Sequence, residues 1–315
     1  MFLRNPNYDW GFIHKFQSAS STQKYLERWY QHQKQISNKK SYENCYPFMY
    51  YLEHGETYYK QAAHSPLSIQ PVLLFYGYTH LLKAMLLTVD PDYPQTSSVL
   101  AHGVSTRKRK KQQYSFLEDE IKIQKNGLLP HIADCIFHMN SLEGEKFTMK
   151  QLLAQLPEVQ ELFQFHYKES PLVLLKQSGD ILTFPMNLLD QFHMTLSRFQ
   201  EYITTIASHP IIRKENGFTW TTTPSLMEAP PFRYHIEFDQ YYFPSNKKYL
   251  CQLPELLIHY LLLYNLSMIA RYETEWWSDL LKTTPNEDYS FIKGFLMSSF
   301  TKMPKYIEKY LLINH

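Results

Sequence analysis

Glycine is scarce in this chain. There are nine in 315 residues, and no two are separated by a single residue. Dinucleotide and P-loop cradles bring backbone against phosphate through closely spaced glycines, so both are disfavoured. An HExxH helix and a GxSxG elbow are also missing, which removes two common hydrolase patterns. Cysteine is equally sparse. Cys45, Cys135 and Cys251 are far apart and odd in number, with no CxxC, which argues against a disulfide framework or a zinc ribbon and fits a reducing cytosol. Excess charge is lacking too. A formal net charge of +2 gives no general grip on nucleic acid, although it leaves room for a local basic patch. The opening MFLRNPNYDWGF has no basic-then-apolar signal pattern, so the expected location is cytoplasmic.

What the chain does have is apolar and aromatic mass, with 25 Tyr and 20 Phe, enough to build a sizeable core. Its densest run is Pro71 to Val89, PVLLFYGYTHLLKAMLLTV. Nearly every face of a helix drawn through it is apolar, which predicts a buried central helix, begun at Pro71 and stopped by Asp90-Pro91. A membrane span is rejected, since the run carries His80 and Lys83 and has only the minimum spanning length.

Tyr76, His80 and Lys83 interrupt this run at i, i+4 and i+7 and so fall in one stripe. A buried ammonium is costly unless paired, so Lys83 should either meet a carboxylate or open onto a cleft. A dozen or so residues beyond the helix come Ala101-His102-Gly103 and the basic run Arg107-Lys108-Arg109-Lys110-Lys111. The bland reading of that run is a solvated surface. The alternative is phosphate contact, with Tyr76, His80, Lys83, His102, Arg107, Lys108 and Arg109 as the candidate anion site.

Elsewhere Phe116 to Lys125 suggests a strand, and Leu172–Leu175 with Ile181–Phe184 suggests a β-hairpin. Asn187 to Ser208 has the period of one helix. Phe232, Tyr234, Ile236 and Phe238 alternate with polar residues as a half-buried strand. Leu253 to Tyr272 is a second densely apolar helix with His259, Asn265 and Arg271 as its polar exceptions, and Phe291–Phe300 and Pro304–Ile313 follow. No metal pattern emerges. Glu118-Asp119-Glu120 would alternate faces on a strand, and His131 and His138 stand two helical turns apart. No catalytic residue and no cofactor are assigned.

SPLSIQPVLLFYGYTHLLKAMLL, AHGVSTRKRKK, FLEDEIKIQKNGLLPHI and LPELLIHYLLLYNLSMIARYETEWW together resemble the YaaC-like family of bacterial proteins over essentially the full chain. That family has no established activity. Its genes tend to neighbour the gene for IMP dehydrogenase, so the resemblance implies a purine-linked ligand or that enzyme as a protein partner. LLFYGYTHLLKAMLL with its His-Gly loop is more distantly similar to HEPN helical domains, which often bind RNA or nucleotides. Some of those domains are ribonucleases that use an Arg, four to six spacers and a His. Here Arg28 reaches His32 after three residues and Arg233 reaches His235 after one, so that motif is missing.

The expected fold is therefore α+β and mainly α-helical. A HEPN-like helical region spans 1–140 around the central helix 71–89. A mixed middle with strands near 172–184 and 218–239, followed by C-terminal helices, spans 141–315; one continuous domain is the alternative. The leading expectation is a non-catalytic regulatory or interaction protein, responsive to a nucleotide and able to form homo-oligomers. The alternatives are an RNA-binding protein using Arg107 to Lys111, and an enzyme acting on a small phosphorylated substrate around Lys83 and His102.

Overall fold

The structure, a computed structural model, describes residues 8–32, 37–106, 114–179, 181–207, 211–214, 217–220 and 230–313. Its elements in chain order are α1 (Ala19–His32), α2 (Ser37–His64), α3 (Gln70–Val89), β1 (Val104–Thr106), β2 (Glu120–Ile123), α4 (Leu128–Phe137), β3 (Lys146–Thr148), α5 (Met149–Leu153) and α6 (Gln160–Tyr167). They continue as β4 (Leu172–Leu174), β5 (Lys176–Ser178), β6 (Ile181–Thr183), α7 (Leu188–Phe192), α8 (Leu196–Ala207), β7 (Ile211–Lys214), β8 (Gly217–Trp220), β9 (Arg233–His235), β10 (Gln240–Pro244), α9 (Glu255–Tyr272), α10 (Thr274–Thr283) and α11 (Asp288–Ile313). The protein is mainly helical α+β, with short antiparallel strands between two helical ends.

The central helix is where the apolar run places it. α3 packs against α2, α9 and α11, so helices from both ends of the chain share one core. By length and composition α3 could cross a membrane, yet 67% of its apolar window is buried inside the protein, as in a core helix. Two glycines let α2 and α3 approach closely. A Cβ on Gly55 would lie 2.5 Å from Leu81 Cδ2, and one on Gly77 would lie 2.9 Å from Tyr58 Cβ. Polar ties fix the packing further. Tyr78 Oη donates to the Leu256 carbonyl at 2.9 Å, Tyr30 Oη to Leu87 at 2.8 Å, and Trp277 Nε1 to Ser68 at 2.8 Å.

The strands form three small sheets ordered β1-β2-β3, β4-β10-β9 and β5-β6-β8-β7. The proposed hairpin over 172–184 is realised differently. β6 turns back on β5 across Gly179, whose φ is +57°, while β4 pairs instead with β10, Val173 opposite Phe243. The alternating run at 232–238 keeps only three strand residues, Arg233, Tyr234 and His235, all buried; the chain then bends through Asp239 at φ +53° into β10. Asn187–Ser208 is two helices because His193 takes a left-handed φ of +53° and ends α7. Conversely, α2 runs unbroken through Asn38–Ser41 and Pro47, and α11 through Pro304.

Candidate functional site

On α3 the helical spacing puts Tyr76, His80 and Lys83 along one partly buried edge beside α2. His80 sits among rings. Its ring centroid is 5.2 Å from that of His54, 5.7 Å from that of Tyr58 in a stacked arrangement, and 5.8 Å from that of Tyr51. His80 Nδ1 is buried without a hydrogen-bond partner. Burial, then the charge of Lys83 and the nearby His54, push the His80 imidazole down to about 4, so it is neutral at pH 7.

Lys83 Nζ lies 5.7 Å from the centre of the Tyr51 ring. Among the described residues no carboxylate pairs with it, so the first of the two alternatives for this ammonium is not the one adopted. Burial alone lowers its pKa.

His102 arrives from the segment before β1. Its ring packs edge-on to Phe75 at 5.0 Å and tilted against Tyr264 at 5.5 Å. Its carbonyl accepts from Tyr260 Oη at 2.9 Å and from the Leu129 amide at 3.3 Å, which pins the loop to α9 and to the start of α4. Burial, then the charges of Arg271 and Lys83, lower its pKa.

Arg271, at the C-terminal end of α9, completes the cluster. It donates to Tyr76 Oη at 3.2 Å and to the Ser267 carbonyl at 3.1 Å, and its guanidinium carbon stands 5.8 Å from the centre of the Tyr76 ring. It too has no carboxylate partner among the described residues. Sequence reasoning noted Arg271 only as a polar exception. Its place beside Tyr76 depends on how α9 crosses α3, and the two residues are 195 positions apart. The structure thus brings Tyr76, His80, Lys83 and His102 together and adds Arg271, His54 and Tyr58. Arg107, Lys108 and Arg109 lie outside the described residues.

Two other features lie away from this edge. A cavity of about 490 Å³ lies between α5, α6 and residues 248–253. Its cations are already engaged: Lys248 pairs with Glu169 at 3.3 Å, and Lys150 Nζ sits 3.4 Å from the centre of the Tyr167 ring. The second is a buried ionic cluster. Lys302, fully buried, meets Glu158 at 2.8 Å and also pairs with Glu255. Tyr306 Oη donates to Glu255 at 3.1 Å, and His259 Nδ1 contacts Ser299 Oγ at 2.6 Å. With two carboxylates around one buried ammonium, this cluster ties α9, α11 and the turn at Glu158 together.

Fold and site together define a mainly helical α+β protein that sets Lys83 and Arg271, without carboxylate partners among the described residues, and aromatic faces along its central helix. The family model described as YaaC-like Protein matches residues 14–311, and the chain belongs to that family. No curated protein and no solved structure matches it.

Proposed function

We propose that this chain is a regulatory, non-catalytic binding protein whose ligand is a nucleotide, held by Lys83, Arg271, His80 and His102 against the tyrosines of α2 and α3. The observation that carries this is that Lys83 and Arg271 both act on the His102 imidazole and neither has a carboxylate partner among the described residues. Uncompensated positive charge favours an anion, and Arg is suited to a phosphate fork. The ring faces of Tyr51, Tyr58 and Tyr76 suit a planar base. The distant similarity of LLFYGYTHLLKAMLL and its His-Gly loop to HEPN domains agrees with such a ligand. The family's link to IMP dehydrogenase puts purine nucleotides first and makes that enzyme the protein partner to test.

The expected result is a rise in melting temperature with purine mono-, di- or triphosphates. Ligand at 100 times its dissociation constant adds about 2.7 kcal/mol of stability. Lys83→Met and Arg271→Gln should each weaken binding tenfold or more, since a hydrogen bond to a charged group contributes about 1.5–3 kcal/mol. Titration calorimetry on the variants checks this. Equal binding by parent and both variants, or no nucleotide binding at all, sinks the reading.

A further inference from the structure

A second group of chemically active side chains gathers where α3 ends against α4. Asp90 closes α3 and is buried. Its Oδ1 accepts from the Asp92 amide at 3.2 Å and from Gln95 Nε2 at 3.4 Å, leaving Oδ2 to face His131 Nε2 at 2.8 Å. His131 and Cys135 are one turn apart on α4, so both point to the same side. Cys135 Sγ lies 3.8 Å from His131 Nε2 and 3.9 Å from Nδ1. Near-equal distances to the two nitrogens place the sulfur over the ring and off the lone-pair direction of either, so the contact is a poor hydrogen bond.

We infer that Asp90, His131 and Cys135 form a binding site for a divalent transition-metal cation of the zinc type. One oxygen, one nitrogen and one sulfur donor lie within 4.8 Å of one another. Zinc bonds of about 2.0–2.3 Å in a tetrahedron put donor atoms about 3.5 Å apart. The observed separations bracket that value, so side-chain rotations of about 1 Å close the site. A sulfur–imidazole–carboxylate set suits zinc and its neighbours and is a poor match for calcium or magnesium, which take oxygen donors. The hydrogen bonds from Asp92 and Gln95 orient the Asp90 carboxylate from behind, as outer partners do in metal sites. His131 and Cys135 are only half-buried, so a fourth position is open to water.

Binding releases the thiol proton to solvent, and the cation's two charges balance the thiolate and the Asp90 carboxylate. The same three residues could be read as a Cys–His–Asp nucleophile, but a thiol lying over the ring has no base aligned to activate it.

The test is cobalt titration of the full, reduced, chelator-stripped chain. One equivalent of Co²⁺ should give tetrahedral visible bands and a sulfur-to-cobalt charge-transfer band, and both should be displaced by Zn²⁺. Cys135→Ser should abolish the charge-transfer band and weaken binding at least tenfold, whereas Cys45→Ser and Cys251→Ser should leave both intact. His131→Gln should also weaken binding. Because it breaks a tie between α3 and α4, Cys135→Ser, the smaller change, decides the matter, with circular dichroism as the fold check. Lys83→Met should bind cobalt like the parent, which separates this site from the nucleotide cluster. No cobalt bands, or bands that survive Cys135→Ser, overturn the inference. So does rapid alkylation of Cys135 by iodoacetamide at neutral pH without cobalt bands, which would assign a nucleophile instead.

Discussion

Replacing Lys302 by methionine is expected to destabilise the protein by about 3–5 kcal/mol, the usual cost of leaving a buried charge without its partner. Lys302 is fully buried and stands between Glu158 and Glu255. Methionine keeps most of the volume, so the loss measures charge and not a cavity. Urea unfolding reads it as a lower midpoint at unchanged slope. Adding Glu255→Gln to the Lys302→Met chain should cost less than it costs the parent, because the two residues are coupled. A variant within about 1 kcal/mol of the parent would show that the cluster is wetter than its burial implies.

The same cluster sets a pH dependence. Burial by itself would raise the Glu255 pKa, but the Lys302 charge and the His259 contact outweigh it and hold the group at about 2. A carboxylate depressed in the fold contributes stability that is present above its unfolded value of 4.5 and is lost as the pH falls toward 2. His259 is also depressed, chiefly by burial, so its contribution is present above 6.5 and erodes as the pH falls below that value. Both act in one direction, and the parent should lose stability toward acid in two stages. In the Lys302→Met chain burial governs Glu255, whose protonation then relieves a buried charge. The stability gap between parent and variant should therefore begin to narrow already above pH 4.5, where only the variant's Glu255 takes up a proton, and narrow further below 4.5 as the parent loses its own contribution, as melting curves in a buffer series would show.

This cluster was not legible in the sequence. Lys302 sits in a mixed stretch ahead of Pro304, and its acids come from an isolated turn and from the first residue of α9. Only packing reveals that the three charges share one buried space. α3 and α9 were legible, because a run that is apolar on every face has few alternatives to burial. The edge carrying Tyr76, His80 and Lys83 was legible for the same reason: helical period alone puts those residues together. Arg271 was not, since nothing local shows which end of α9 reaches Tyr76. The alternation at 232–238 misled because period-2 spacing cannot tell a long half-buried strand from a three-residue strand that turns at Asp239. The continuity of α2 through Pro47 was hidden by local breakers that tertiary packing overrides.

Gly127→Ala is expected to cost about 3 kcal/mol or more and to remove nucleotide binding, although Gly127 lies outside the ligand cluster. Its φ of +133° with ψ of −178° belongs to a region almost restricted to glycine. A Cβ there would stand 2.3 Å from both Cα and N of Gly103, backbone atoms that cannot rotate away. Gly103 is in turn trapped, since its own Cβ would meet Pro130 Cδ at 2.4 Å. This backbone crossing holds the loop of His102 against α4, where the Leu128 amide donates to Ala101 at 2.7 Å and the Leu129 amide to His102. Separating the strands of the crossing moves His102 away from Lys83 and Arg271. Gly144→Ala is the control, because Gly144 has a φ of +84° with nothing within 4 Å of the added carbon. It should lose only the cost of the backbone angle, about 1 kcal/mol, and keep the ligand-induced shift. If the two variants prove equally stable, the crossing yields easily and His102 is not positioned by it. If Gly127→Ala folds and still binds nucleotide like the parent, the imidazole of His102 is not part of the binding site.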